Sequence, residues 1–149
     1  MPTLVRGSNS FETLENLQAE LATLPALTAA TAATPEHLSH ALVYAWFNIG
    51  ALDLDFGSGV VTTRYFDSAT LDSLDAKAQA DLIQAQLVEA DFSLSNTSTN
   101  RTGELRRVSV GASTTVYRNN RSVIVSADAV NILRPYLEPG FQHMARLHV

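Results

Sequence analysis

The chain has 149 residues, 46% of them hydrophobic, with mean hydropathy +0.03 and a formal net charge of −5. That length suits one domain with a core of its own and is short for two, and the apolar share is that of a globular rather than a disordered chain. Zero cysteines exclude disulfides and thiolate chemistry, no apolar run approaches the ~18–20 residues that span a bilayer, and the opening MPTLVRGSNSF lacks the basic-then-apolar pattern of a secretory leader.

Asn9 or Ser10 is placed to cap a first helix over residues 10–24, with Glu12 as the capping-box partner of Asn9. Phe11, Leu14, Leu17, Leu21 and Leu24 follow helical spacing, and Pro25 interrupts the run. Residues 26–34, ALTAATAAT, fit either a helix or a loose segment. Thr34-Pro35-Glu36 is a strong helix start: a hydroxyl cap, proline at the first position and an acid in the first turn. The helix predicted from Pro35 to Ile49 carries Leu38, Leu42, Trp46 and Ile49 as its apolar stripe, widened by Val43 and Phe47, and Gly50 ends it. Both aromatic side chains read as core. Residues 51–66, with Gly57 and Gly59 among Asp53, Asp55 and Phe56, predict a structured loop or short extended arm.

Asp67 or Ser68 opens the longest predicted helix, over residues 70–91. Its apolar face is Leu71, Leu74, Ala78, Leu82 and Ala85, broadened by Ile83, Leu87 and Val88. The small Ala78 and Ala85 allow close approach of a neighbouring helix, while Asp72, Asp75, Asp81, Glu89 and Asp91 are assigned to the other faces. Residues 93–103 form a polar loop.

The most distinctive stretch runs from Glu104 to Pro135. Val108, Val110, Ala112, Thr114 and Val116 alternate with Arg107, Ser109, Ser113, Thr115 and Tyr117, the period-two pattern of a half-buried strand. Asn119-Asn120 suits a tight hairpin turn, because Asn tolerates left-handed backbone. Val123, Ile124 and Val125 supply the returning strand. Ser126 then caps a short helix bearing Val130, Ile132 and Leu133, and Pro135 stops it. The tail after Pro135 keeps Phe141, Met144, Leu147 and Val149, more apolar than a frayed end usually is, and reads as an arm with a docking place. The expected fold is mainly α: one domain over 1–149, with a helical bundle over 10–91, an inserted β-hairpin over 104–126, and a short helix and extended C-terminal arm over 127–149.

Charge is unevenly placed along this plan. Residues 1–100 hold twelve acidic groups and three basic ones, Arg6, Arg64 and Lys77, whereas residues 101–149 hold seven arginines and three acids. Arg106, Arg107, Arg118 and Arg121 cluster on the hairpin with Tyr117, and Arg101 precedes them. Arginine favours bidentate pairing with carboxylates or phosphates. Three readings follow: the hairpin lies on its own acidic helices, it meets the acidic end of another copy, or it contacts nucleic acid. No second aromatic interleaves the charges, which favours a protein-facing surface over a base-stacking one.

Catalytic patterns are not evident. Glu36, His37 and His40 share a helical turn but lack the spacing of a zinc-protease motif and any third ligand nearby. Asp53, Asp55 and Gly57 resemble the start of a calcium loop without its later oxygen ligands. No serine sits in a nucleophile elbow, and Gly57-Ser58-Gly59 is too short to cradle phosphate. Asn96, Asn100 and Asn120 head glycosylation triplets of a kind that arises readily in polar loops. The expectation is a protein that is not an enzyme, with no cofactor and no metal.

Leu105 to Gly111, Val116-Tyr117 and Ser126 to Leu137 together resemble the tailed-phage head–tail connector, or adaptor, family, some of whose members are labelled DnaT-like single-stranded-DNA-binding proteins. The predicted helices from Pro35 to Ile49 and from Thr70 to Asp91 fall where that family places its bundle helices. The resemblance covers about two thirds of the chain, and the first 30 residues and the tail beyond Pro139 depart from it. It implies a structural virion protein at the neck, assembled in the host cytoplasm. Such a subunit would form a homo-oligomeric ring, commonly a dodecamer, between the portal protein and the next tail or neck protein. Genomic DNA would pass through its channel without sequence-specific contact, and no membrane would be involved. On that reading Arg106, Arg107, Tyr117, Arg118, Arg121, Phe141, Met144 and Leu147 are the candidate subunit or partner interface. The alternative function is single-stranded nucleic-acid binding by the Arg-rich hairpin.

Overall fold

The computed structural model describes residues 1–57, 60–61, 66–95, 113–118 and 121–137. These residues form a mainly helical bundle: α1 (Leu14–Leu21), α2 (Thr28–Ala32), α3 (Pro35–Gly50), α4 (Ser68–Ser73), α5 (Ala76–Ser95) and α6 (Ala127–Leu133). Two short antiparallel pairs join them, β1 (Leu54–Asp55) with β2 (Val60–Val61) and β3 (Ser113–Arg118) with β4 (Arg121–Ser126).

Helix α1 is shorter than predicted and starts later. Thr13, not Asn9 or Ser10, is its cap, with Oγ1 accepting from Asn16 N–H at 3.3 Å. The two earlier residues hold the N-terminal loop instead. Asn9 Oδ1 accepts from Val5 N–H and its amide donates to the Thr3 carbonyl. Ser10 Oγ donates to the Glu12 carbonyl at 2.7 Å and accepts from Gln86 Nε2 at 3.0 Å. Phe11 therefore enters the core from a loop rather than from a helix. The undecided stretch after Pro25 contains the short α2.

Helix α3 begins as predicted, with Thr34 Oγ1 accepting from His37 N–H at 3.2 Å and Pro35 in the first turn. Leu38, Leu42, Trp46 and Ile49 are all buried. Phe47 is not core: it is 64% exposed. The apolar stripe of α3 faces α5, and Phe47 stands on the opposite side.

The long predicted helix is two. Asp67 caps α4, accepting from Thr70 N–H at 2.7 Å, and Leu74 turns extended to end it. Asp75 Oδ1 then accepts from Ala78 N–H at 2.7 Å and opens α5. An Asp side chain competes for backbone donors, so an apolar period running through it can still break there. Ala78, Leu82 and Ala85 are buried as expected, and Leu82 and Ala85 share a cluster with Ala129, Val130 and Leu133 of α6, which packs against α5 as α3 does.

Two apolar clusters result. One gathers Phe11, Trp46, Ile49, Leu54, Phe66, Leu82 and the buried face of α6; the other gathers Leu4, Leu17, Leu21, Leu38, Leu42, Leu87 and Ala90. Helices α3 and α5 contribute to both and so unite the body. Within the first, aromatic rings run in sequence from Trp46 through Phe11, Phe66 and Phe56 to Tyr136, with centroids 4.7–5.7 Å apart. Tilted and edge-on pairs at this spacing add to area burial.

Candidate assembly interface

The described part of the hairpin pairs as expected, while its turn residues Asn119 and Asn120 lie outside the described residues. β3 and β4 pair antiparallel with Arg118 opposite Arg121, leaving Asn119-Asn120 as the two-residue connection. That register puts two candidate arginines side by side next to the tip, with Tyr117 one step down, opposite Ser122. Arg106, Arg107 and the part of the predicted strand up to Ala112 lie outside the described residues, as do Phe141, Met144 and Leu147. The structure thus brings together Arg118, Arg121 and Tyr117 of the predicted set.

Attachment of the hairpin to the body is the part that the sequence pattern missed. Ser126 ends β4 and caps α6, its Oγ accepting from Ala129 N–H at 3.1 Å. Its own N–H donates to Glu89 Oε1 at 2.7 Å, and Asn48 Nδ2 donates to Glu89 Oε2 at 3.0 Å. Glu89, assigned to a face other than the apolar one, is 1% exposed and so lies in the interior. One carboxylate joins α3, α5 and the hairpin base. Burial pushes the Glu89 carboxyl up to about 8, because two neutral donors offset only part of what is lost on leaving water.

A second pin holds the far end of the same module. A 3-10 turn over Arg134–Tyr136 follows α6. Tyr136 Oη donates to Asp81 Oδ2 at 2.7 Å, and Leu137 bridges Leu54. Burial pushes Asp81 up, yet hydrogen bonds from Lys77 and Tyr136, together with the Lys77 charge, leave it below the ordinary carboxylate range. Burial and then the Asp81 bond raise the Tyr136 phenol. Residues 126–137 are thereby held to α5 at both ends.

Gln86 does the same for the N-terminal segment. Fully buried, it donates to the Leu42 carbonyl at 2.9 Å and accepts from Phe11 N–H at 3.1 Å. On the surface, Arg6 pairs with Asp72 at 2.9 Å and Lys77 with Asp81 at 2.7 Å. Exposed acids such as Glu15, Glu20, Glu36, Asp55 and Asp128 leave the described body acidic. Asp55 belongs to a turn, accepting from Gly57 N–H at 2.7 Å, where Gly57 takes φ of 101°.

One further feature had no signal in the periodicity. A groove of about 710 Å³ runs between α2, α3 and the end of α5, lined by alanines together with His37, His40, Tyr44 and Leu94. Among the described residues no three His, Asp or Glu side chains converge as a metal site, and no helix is long and apolar enough to cross a membrane. No protein-family model, curated protein or solved structure matches the chain.

Proposed function

We propose that this protein is a ring-forming structural subunit of a phage neck, a head–tail connector that sits between portal and tail and continues the DNA channel. The observation that carries the reading is the module from β3 to Tyr136. A hairpin whose register sets Arg118 opposite Arg121 is joined to an acidic body through Ser126 to Glu89, and the turn that follows its helix through Tyr136 to Asp81. A basic hairpin and an acidic body are complementary parts of one chain. Repeated head to tail, they give a heterologous contact that closes into a ring when the rotation allows. An acidic channel wall would also let DNA slide past without adhering.

Native mass spectrometry and negative-stain imaging of the full chain, alone and mixed with portal assemblies, test this. Rings that stack coaxially on the portal are expected, and reversal of Arg118 and Arg121 to Glu should weaken them. A protein that stays monomeric at high concentration and ignores the portal removes the reading. Tight, steeply salt-dependent binding of a labelled single-stranded oligonucleotide by such a monomer would transfer the hairpin's role to nucleic acid.

A further inference from the structure

Among the described residues Glu89 is the only acidic or basic side chain that is fully buried. Its two oxygens take neutral donors from two sides, Asn48 Nδ2 of α3 at 3.0 Å and the N–H of Ser126 at 2.7 Å. The titratable groups on the elements around it do not balance a charge there. Tyr44 stands one turn before Asn48 on α3 and is half exposed, and Asp128, on the first turn of α6, is exposed. Asp91, further along α5, is turned to the Ala30 N–H of α2. Arg121, with Arg118 opposite, lies five residues before Ser126, about 16 Å along β4 at ~3.3 Å per residue. Burial accordingly pushes the Glu89 carboxyl up to about 8. Ionised, it would be a sealed charge with two hydrogen bonds and no counter-charge, which a low-dielectric interior disfavours.

Relief requires water at the carboxylate, and one side of its enclosure is weaker than the others. Helices α3 and α5 contribute to both apolar clusters and cannot part without opening the body. Among the described residues β3 and β4 form a two-stranded pair, which is marginal by itself. Helix α6 has seven residues, too few to hold a helix without packing. Burial along this module is also uneven. Beside Ser126 it rests on Ala127, Ala129 and Val130, whereas its far end rests on Leu133 and Leu137, with Tyr136 bonded to Asp81. Small side chains give up less apolar contact than large ones when they lift. The Ser126 end is therefore the one that yields, and the Tyr136–Leu137 end is the hinge.

We infer that Glu89 is a pH-sensitive catch: when its carboxyl passes its proton to solvent, Ser126 and the first turn of α6 lift off α5 and α3 together with the base of the hairpin, while Tyr136 and Leu137 stay attached. The inference is independent of what the hairpin meets. In the opened form the carboxyl has its ordinary acidity. Opening therefore grows more frequent by about tenfold per pH unit between about 4.5 and about 8, and levels off above that.

Amide exchange of the full chain followed by NMR at pH 6, 7 and 8, expressed as protection relative to an unstructured chain, tests this. The reporters are the Ser126 N–H, which donates to Glu89, and the Ala129 N–H, which donates to Ser126 Oγ. The references are the Leu42 and Ala45 amides within α3. Reporter protection should fall about tenfold per pH unit while staying at least about tenfold below the references, and Glu89→Gln should make it constant with pH. Reporters as well protected as the references would mean that the module opens only with the whole fold, and would overturn the inference. Protection that ignores pH in the parent overturns it too, as does a pH dependence that survives in Glu89→Gln. Should that variant fail to fold, the parent's own amides still decide the matter.

Discussion

Replacing Glu89 by Gln should change how stability depends on pH more than it changes stability itself. Buried between Asn48 and Ser126, Glu89 titrates near 8 in the folded protein and near 4.5 when exposed. Between those values the folded state holds a proton that the unfolded state has released. Stability is therefore highest below about pH 4.5, falls as pH rises, and levels off above about 8. Each pH unit in that window costs about 1.4 kcal/mol, which sets a ceiling of about 5 kcal/mol across it. Gln has the same shape and can still accept from Ser126 N–H, and Asn48 can turn its amide to meet the new NH₂ group. Urea unfolding followed by the fluorescence of Trp46, the single tryptophan, measures this at pH 5, 7 and 9. The variant should match the parent within about 1 kcal/mol at pH 5, the usual scale of one neutral hydrogen bond, and exceed it by several at pH 9. A constant difference at all three values, or a variant weaker throughout, would refute the account of Glu89 as a buried, proton-holding latch.

Gly7 takes φ of +81°, and a Cβ there would lie 2.4 Å from Ser68 N and 2.8 Å from Asp67 C. Gly7→Ala should cost about 2–3 kcal/mol, and a melting temperature unchanged within a degree would contradict the close approach of the N-terminal loop to α4. Tyr136→Phe removes the bond to Asp81 and should cost about 1 kcal/mol. Hydrogen exchange should rise first in α6 and the 3-10 turn, and uniform protection would count against the second pin. Asp75→Ala deletes the cap of α5, with an expected loss of about 1 kcal/mol in thermal or urea unfolding; no loss would mean that α4 and α5 fuse at no cost.

Several features that depend on neighbours in sequence were predicted from it. Thr34 and Ser126 cap their helices, Asn119-Asn120 connects β3 to β4, and the α3 stripe faces inward, each set by side chains a few residues apart. Capping and turn chemistry act over one helical turn, and amphipathic spacing over a few. Apolar spacing continues across the break at Leu74-Asp75 and masks it, although the Asp75 cap is itself a local signal.

Other features depend on what arrives from a distance. Glu89 and Phe47 are the clearest pair: periodicity put the carboxylate outside and the aromatic ring inside, and both assignments are reversed. Glu89 is covered because Asn48, 41 positions earlier, and Ser126, 37 positions later, bring donors to it. Phe47 is exposed because α5 packs against the other side of α3. The groove likewise exists only where α2 and the end of α5 meet α3. The sequence alone thus determined the helical class of the body, the starts of α3 and α6, the pairing of β3 with β4, and the split between an acidic body and an arginine-rich end. Only the tertiary structure decided which polar groups are sealed in and which apolar ones are left out, because burial belongs to the packing of distant segments rather than to any one of them.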